Sequence, residues 1–165
     1  MAASWASGFT ARLLGLVAQE PGRLLLVAVL TTAVGLGAMV AGRLLRLPET
    51  ELLLFLLPRT RRERLLFVGV SLSAGIAEEL VFRSFLIPAL QAATDSLWLA
   101  VAFSSFAFGL IHSYQGTSGA LRASCLGLLL AVPFVATGSV LPSMAAHAAL
   151  DIIAGLWLGD WLVRR

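Results

Sequence analysis

Residues 24–41, LLLVAVLTTAVGLGAMVA, form eighteen consecutive positions without a charge, and that run limits the chain to one class of fold. A helix needs roughly 20 mostly apolar residues to cross the hydrocarbon layer of a membrane. In lipid the backbone finds no water to bond with, so a spanning segment must satisfy its own N–H and C=O groups, as a helix does. Arg23 in front and Arg43 and Arg46 behind bracket the run. The remainder agrees: 59% of the 165 residues are hydrophobic and 13% charged, against about 25% charged in an ordinary globular domain. The expectation is an all-α polytopic transmembrane bundle. It forms a single membrane domain over 1–165, in which 1–64 supply an N-terminal helix, a first span and a basic loop, and 65–162 a helical core.

The N-terminal stretch MAASWASGFTARLLGLVAQE lacks the basic start and small-residue cleavage site of a signal peptide, and its apolar residues 13–18 are too few to span. An interfacial helix with Trp5 and Phe9 at headgroup depth is expected there. After the first span, Arg43, Arg46, Arg59, Arg61, Arg62 and Arg64 crowd one connector, which the positive-inside rule assigns to the cytoplasm. Within it, residues 52–57, closed by Pro58, are expected to lie along the interface. Further helices are expected over about 65–90, 97–113, 121–136 and 141–162, separated by the breakers QAATDS, SYQGTSG and TGSVLP. With Arg122, Arg164 and Arg165 also inside, the charges give about five spans and an outside N-terminus. Ser71 with Gly75, and Gly155 with Gly159, stand at the spacing that lets helices approach closely in lipid.

All twelve basic residues are Arg, and the chain has neither Lys nor Asn. Both missing residues use A-rich codons, so the bias reads as a GC-rich genome and points to a bacterial cytoplasmic membrane. The pI near 10.4 is therefore no sign of nucleic acid, because the arginines flank hydrophobic ends instead of forming a phosphate-binding face. Cys125 is the single cysteine, which excludes an intrachain disulfide.

Against this background the stretch SAGIAEELVFRSFLIPAL, 73–90, is out of place. Each charge in mid-membrane costs roughly 2.5–3.5 kcal/mol on insertion scales, yet Glu78, Glu79 and Arg83 stand together there. Glu79 and Arg83 are four apart, so a helix puts them on one face with the acid first, the favoured order for a pair. Glu78 points about 100° away and is left for something else. The bland alternative places the three at a helix end, snorkelling to water. More than ten mostly apolar residues before them and FLIPAL after them oppose it. Downstream, FGLIH sets Phe108 and His112 on one helical face and HAALD does the same for His147 and Asp151. Each pair alone is commonly structural. Polar groups spread over three hydrophobic helices need partners, however, and these can supply one another if they converge.

The three motifs, EELVFR as EExxxR, FGLIH as FxxxH and HAALD as Hxxx(N/D), in that order and after a basic loop, resemble the signatures of the CPBP intramembrane protease family. This is the CAAX prenyl endopeptidase and bacteriocin-immunity group, also called Abi. TGSVLPSMAAH is similar to that family's run into its third motif, and the resemblance covers 65 to about 160. It implies an intramembrane endopeptidase of glutamic type acting on a membrane-associated protein or peptide, with 65–162 as the catalytic core. It further implies that Glu78 and His112 activate a water, that His147 and residue 151 stabilise the oxyanion, and that Glu79, Arg83 and Phe108 support the site. The chemistry of the residues agrees: a carboxylate withdrawn from bulk water makes a serviceable base, and an imidazole N–H is a competent oxyanion donor.

Asp151 fits less well, since an ionised carboxylate repels an oxyanion where an Asn would donate to it. It is protonated, or it orients His147, or it binds a metal; orienting His147 requires the least rearrangement. A divalent ion such as Zn²⁺ held by Glu78, His112, His147 and Asp151 is the lesser alternative to a cofactor-free site, and no HExxH is present. Two other classes compete with the protease: a non-proteolytic membrane binding or immunity protein, and a proton-relaying transporter, which lacks the paired broken helices expected of one. At about 1.5 Å per residue, Glu78 and His112 reach similar depths, roughly 18 and 23 Å from their outer helix ends. His147 lies only about 9 Å from a helix start at Leu141, so either TGSVLP dips inward or the helix ends lie elsewhere.

Overall fold

The computed structural model describes Gly15, residues 19–45 and residues 55–163. The expected interfacial helix with Trp5 and Phe9, and residues 52–54 of the 52–57 segment, fall outside these residues. Among the described residues there is no strand, and five helices follow one another. Helix α1 is Pro21–Leu44. Helix α2 runs over Arg61–Thr94, as an α-helix to Glu79, a π-helical stretch over Leu80–Leu86 and an α-helix again over Ile87–Thr94. Helix α3 is Leu97–Ile111 and α4 is Gly116–Thr137. Helix α5 is Leu141–Ile153, continued by a π-helical turn over Ala154–Leu158 and by Gly159–Val163. Four of these, α1, α2, α4 and α5, are long and apolar enough to cross a membrane, and α3 is a shorter apolar helix. The protein is a multi-pass integral membrane protein built as an all-α bundle.

Local chemistry explains the boundaries. Helix α2 begins at Arg61, four residues before the expected start at 65, because Thr60 and Glu63 form a capping box. Thr60 Oγ1 accepts from the Glu63 N–H, and Glu63 Oε2 accepts from the N–H groups of Thr60 and Arg59. The π-helical stretch precedes Pro88, which has no N–H to offer the Ser84 carbonyl and whose ring crowds it, so the turn before it widens. Asp95, in the left-handed region at φ 51°, ends α2, and Ser96 caps α3.

The lipid-facing character is plain on α1, where Leu25, Leu26, Val29, Leu30 and Val34 are all more than half exposed and only Ala28, Thr31 and Gly35 are buried. Inside, α3 packs along α4 and α2 packs against α5. Gly75 of α2 makes the second contact possible: a Cβ there would lie 3.0 Å from the Ala148 N and Cβ and from the Met144 carbonyl. The Ser71/Gly75 spacing thus marks the face on which α2 meets α5.

In the segment 137–142, Thr137, Ser139, Val140 and Pro142 are buried, whereas Gly138 and Leu141 are exposed. Gly138 closes α4 at φ 66°, Ser139 and Val140 are fully buried, and Ser143 Oγ donates to the Leu130 carbonyl at 2.8 Å. The Val140 N–H donates to the Gly15 carbonyl at 2.9 Å, and the Gln19 side-chain amide donates to the Thr137 carbonyl. Gly15 and Gln19, from before α1, therefore tie down this turn.

Candidate active site

Helices α2 and α5 carry the centre of the site. Glu79 and Arg83 are both buried, at 0% and 1% exposure, and Arg83 Nη1 lies 2.9 Å from Glu79 Oε1. The contact is an ion pair whose N–H is not aligned as a hydrogen bond. The guanidinium is fastened elsewhere too: Nη2 donates to the Gly127 carbonyl of α4 at 3.1 Å, and its carbon sits 4.8 Å from the centre of the Phe108 ring. That stacking adds about 0.5–2 kcal/mol.

The same Glu79 oxygen accepts from Nδ1 of His147 at 2.8 Å. A carboxylate paired with a guanidinium can only accept, so Nδ1 carries the proton and the ring's orientation is fixed. Nε2 then faces the other way, 3.9 Å from Glu78 Oε2 and 3.8 Å from Asp151 Oδ2. These separations are too long for direct hydrogen bonds and short enough for one oxygen to bridge them. The two adjacent acids have thus divided: Glu79 is sealed in the core, while the Glu78 side chain keeps 28% of its surface exposed and its Oε2 has no hydrogen-bond partner among the described residues. The expectation that Asp151 orients His147 is corrected, because Glu79 holds the ring and Asp151 lies on the opposite nitrogen.

His112 joins through Phe108. It stands just past the end of α3, and its Nδ1 donates to the Phe108 carbonyl at 2.8 Å, which leaves Nε2 as an acceptor. Its hydrogen bond is to that carbonyl and not to Glu78. The buried Phe108 ring packs between the two imidazoles, 4.6 Å from His112 and 5.9 Å from His147, centre to centre, with Phe82 edge-on at 5.1 Å. Glu79, Arg83 and His147 therefore meet directly, Glu78 and Asp151 lie just under 4 Å from His147 Nε2, and His112 lies one ring away. Among the described residues no group of three or more His, Cys, Asp or Glu side chains is arranged to hold a metal ion.

Two participants escaped sequence reasoning. Tyr114 lies 5.9 Å from the His112 ring, and its only sequence signal is its position two residues on. The Gly127 carbonyl, which receives Arg83, carries no side-chain signal at all. Glu78 also ends an exposed, mostly apolar face of α2 that carries Leu65, Leu66, Gly69, Val70, Ser73, Ala74 and Ala77.

Compared with known families, residues 60–153 match the family described as type II CAAX prenyl endopeptidase Rce1-like. No curated protein and no solved structure matches the chain.

Proposed function

The chain belongs to the Rce1-like family of type II CAAX prenyl endopeptidases, and on that premise we propose that it hydrolyses a peptide bond in a membrane-associated protein or peptide, with Glu78 as the base. The observation that carries this reading is the fixed His147 ring. Its Nδ1 is held by buried Glu79, and its Nε2 faces the unpartnered oxygen of Glu78.

In the proposed reaction the Glu78 carboxylate takes a proton from water as the water oxygen attacks the scissile carbonyl carbon. The carbonyl oxygen becomes an oxyanion and accepts from His147 Nε2–H. Collapse of the tetrahedral species breaks the C–N bond, and the proton held by Glu78 passes to the leaving amine. Because Nδ1 is already committed to Glu79, Nε2 can donate only if the ring carries both protons. Glu79 on one nitrogen and Asp151 near the other are placed to support that imidazolium. One such donor is worth about 3–4 kcal/mol of barrier in acyl transfer. Phe108 and Arg83 hold the geometry, and His112, with Nε2 free to accept, assists the water. The exposed apolar face of α2 suits an apolar segment of the substrate, approaching from the lipid side and ending at Glu78.

The test is comparative proteomics of membranes from cells carrying the intact chain and Glu78→Gln. Substrate accumulation with the variant folded and inserted is the expected result. Unchanged processing removes the base assignment.

A further inference from the structure

A cavity of about 330 Å³ lies at the N-terminal end of α2, away from Glu78, between the start of that helix and the last part of α5. Arg59 and Arg64 line one side; Trp157 and Asp160 line the other. Position alone does not make two arginines a binding site, but three further features coincide here.

The cavity is built by close packing. A Cβ on Gly155 would run into the Phe67 ring and one on Gly159 into Leu57, so these glycines let α5 and the α2 end approach around the opening. Between them α5 widens into its π-helical turn, Ala154–Leu158, a deviation often found at functional sites. Depth is the second feature. Trp157 is 69% exposed, and Trp161, one turn on, is exposed with Arg43 stacked 5.7 Å from its ring. Exposed indoles and guanidiniums at one end of a bundle mark the headgroup layer. Charge is the third. The wall carries two guanidiniums and one carboxylate, while the nearby Glu63 carboxylate is occupied by the backbone N–H groups of Arg59 and Thr60. The N-terminus of α2 adds its positive dipole end beside the arginines.

We infer that this cavity binds the phosphodiester headgroup of an anionic phospholipid, with Arg59 and Arg64 on the phosphate and Trp157 against the glycerol region. Its two walls belong to α2 and α5, the helices that carry Glu78, Glu79, His147 and Asp151, so a seated lipid braces the pair that forms the site. Basic pockets between membrane helices recognise phosphate headgroups in this way.

The full chain in mild detergent is titrated with phosphatidylglycerol or phosphatidylcholine and followed by native mass spectrometry and thermal unfolding. Phosphatidylglycerol is expected to be retained and to raise the unfolding temperature; phosphatidylcholine is not. Arg59→Gln/Arg64→Gln should weaken retention about thirty-fold, since each arginine near a lipid phosphate contributes about fivefold. The control Arg61→Gln/Arg62→Gln removes the same charge from the same helix turn outside the cavity and should change retention less than about threefold. Equal losses in the two double variants mean diffuse attraction and overturn the site. Equal retention of the two lipids does the same. Displacement of the lipid by millimolar inorganic phosphate shows a free-anion site and overturns the lipid assignment.

Discussion

Glu79→Gln isolates the cost of the buried ion pair. The substitution leaves an oxygen to accept from His147 Nδ1 but removes the only carboxylate within 4 Å of Arg83 among the described residues, and the arginine is 1% exposed. The Gly127 carbonyl and the Phe108 ring remain to it, and neither carries a full charge. Breaking a buried pair on one side costs about 3–5 kcal/mol, because a desolvated charge is left uncompensated. At about 2–4 °C per kcal/mol for a chain of this size, the unfolding temperature in mild detergent should fall by about 6–20 °C. The double variant Glu79→Gln/Arg83→Met removes the stranded charge and puts a thioether against Phe108. It should recover at least half of the loss, since apolar replacement of a whole buried pair is often near neutral. A single-variant cost below about 1 kcal/mol, or a double variant whose loss is the sum of the two singles, would refute the picture of a desolvated, mutually dependent pair. Substrate turnover should fall about 10- to 100-fold in the single variant, as when a carboxylate that orients an imidazole is lost.

Asp151→Asn should keep cleavage within about tenfold of the intact chain, because the amide can itself donate to an oxyanion; a loss as deep as that of His147→Ala in the same cleavage assay would make the carboxylate charge essential. Chelation with EDTA or phenanthroline should leave cleavage unchanged, as a Glu/His mechanism requires, whereas loss restored by added Zn²⁺ would replace that mechanism with a metal-assisted one. Gly75→Val forces larger atoms against Ala148 and Met144 and should cost about 1–3 kcal/mol by thermal unfolding; an unchanged unfolding temperature would show that α2 and α5 are not closely packed there.

The helices were legible because a membrane span must be long, apolar and internally hydrogen bonded, and those demands leave their mark in composition. Their ends were less so. The start of α2 was placed at 65 because Arg61–Arg64 read as loop charge, although Thr60 and Glu63 already formed a capping-box pattern. The π-helical stretch over Leu80–Leu86 was missed, since periodicity of 3.6 does not reveal a turn widened by the proline beyond it. In the site, the convergence of Glu78, Glu79, Arg83, His147 and Asp151 was foreshadowed by polar residues stranded in apolar helices, whereas Phe108 entered only through the resemblance to the FxxxH motif. The pairing was not foreshadowed. Nothing in HAALD tells which side of the His147 ring an acid from another helix will reach, so Asp151, one turn away, was favoured over Glu79, 68 residues earlier.

Adjacent carboxylates gain their separate uses from helix geometry. Successive side chains diverge by about 100°, so when Gly75 lets α2 press onto α5, only one of the two acids can turn into the contact. Glu79 does, and it is shared by Arg83 one turn on and His147 across the interface. Glu78 is thereby turned toward the exposed face of α2 while still lying 3.9 Å from the ring that Glu79 holds. An exchange of the two roles would need a rotation of α2 by about a quarter turn. That rotation would pull Arg83 from Gly127 and move Gly75 off Ala148. The division between a sealed acid and an open one is therefore set by helix packing.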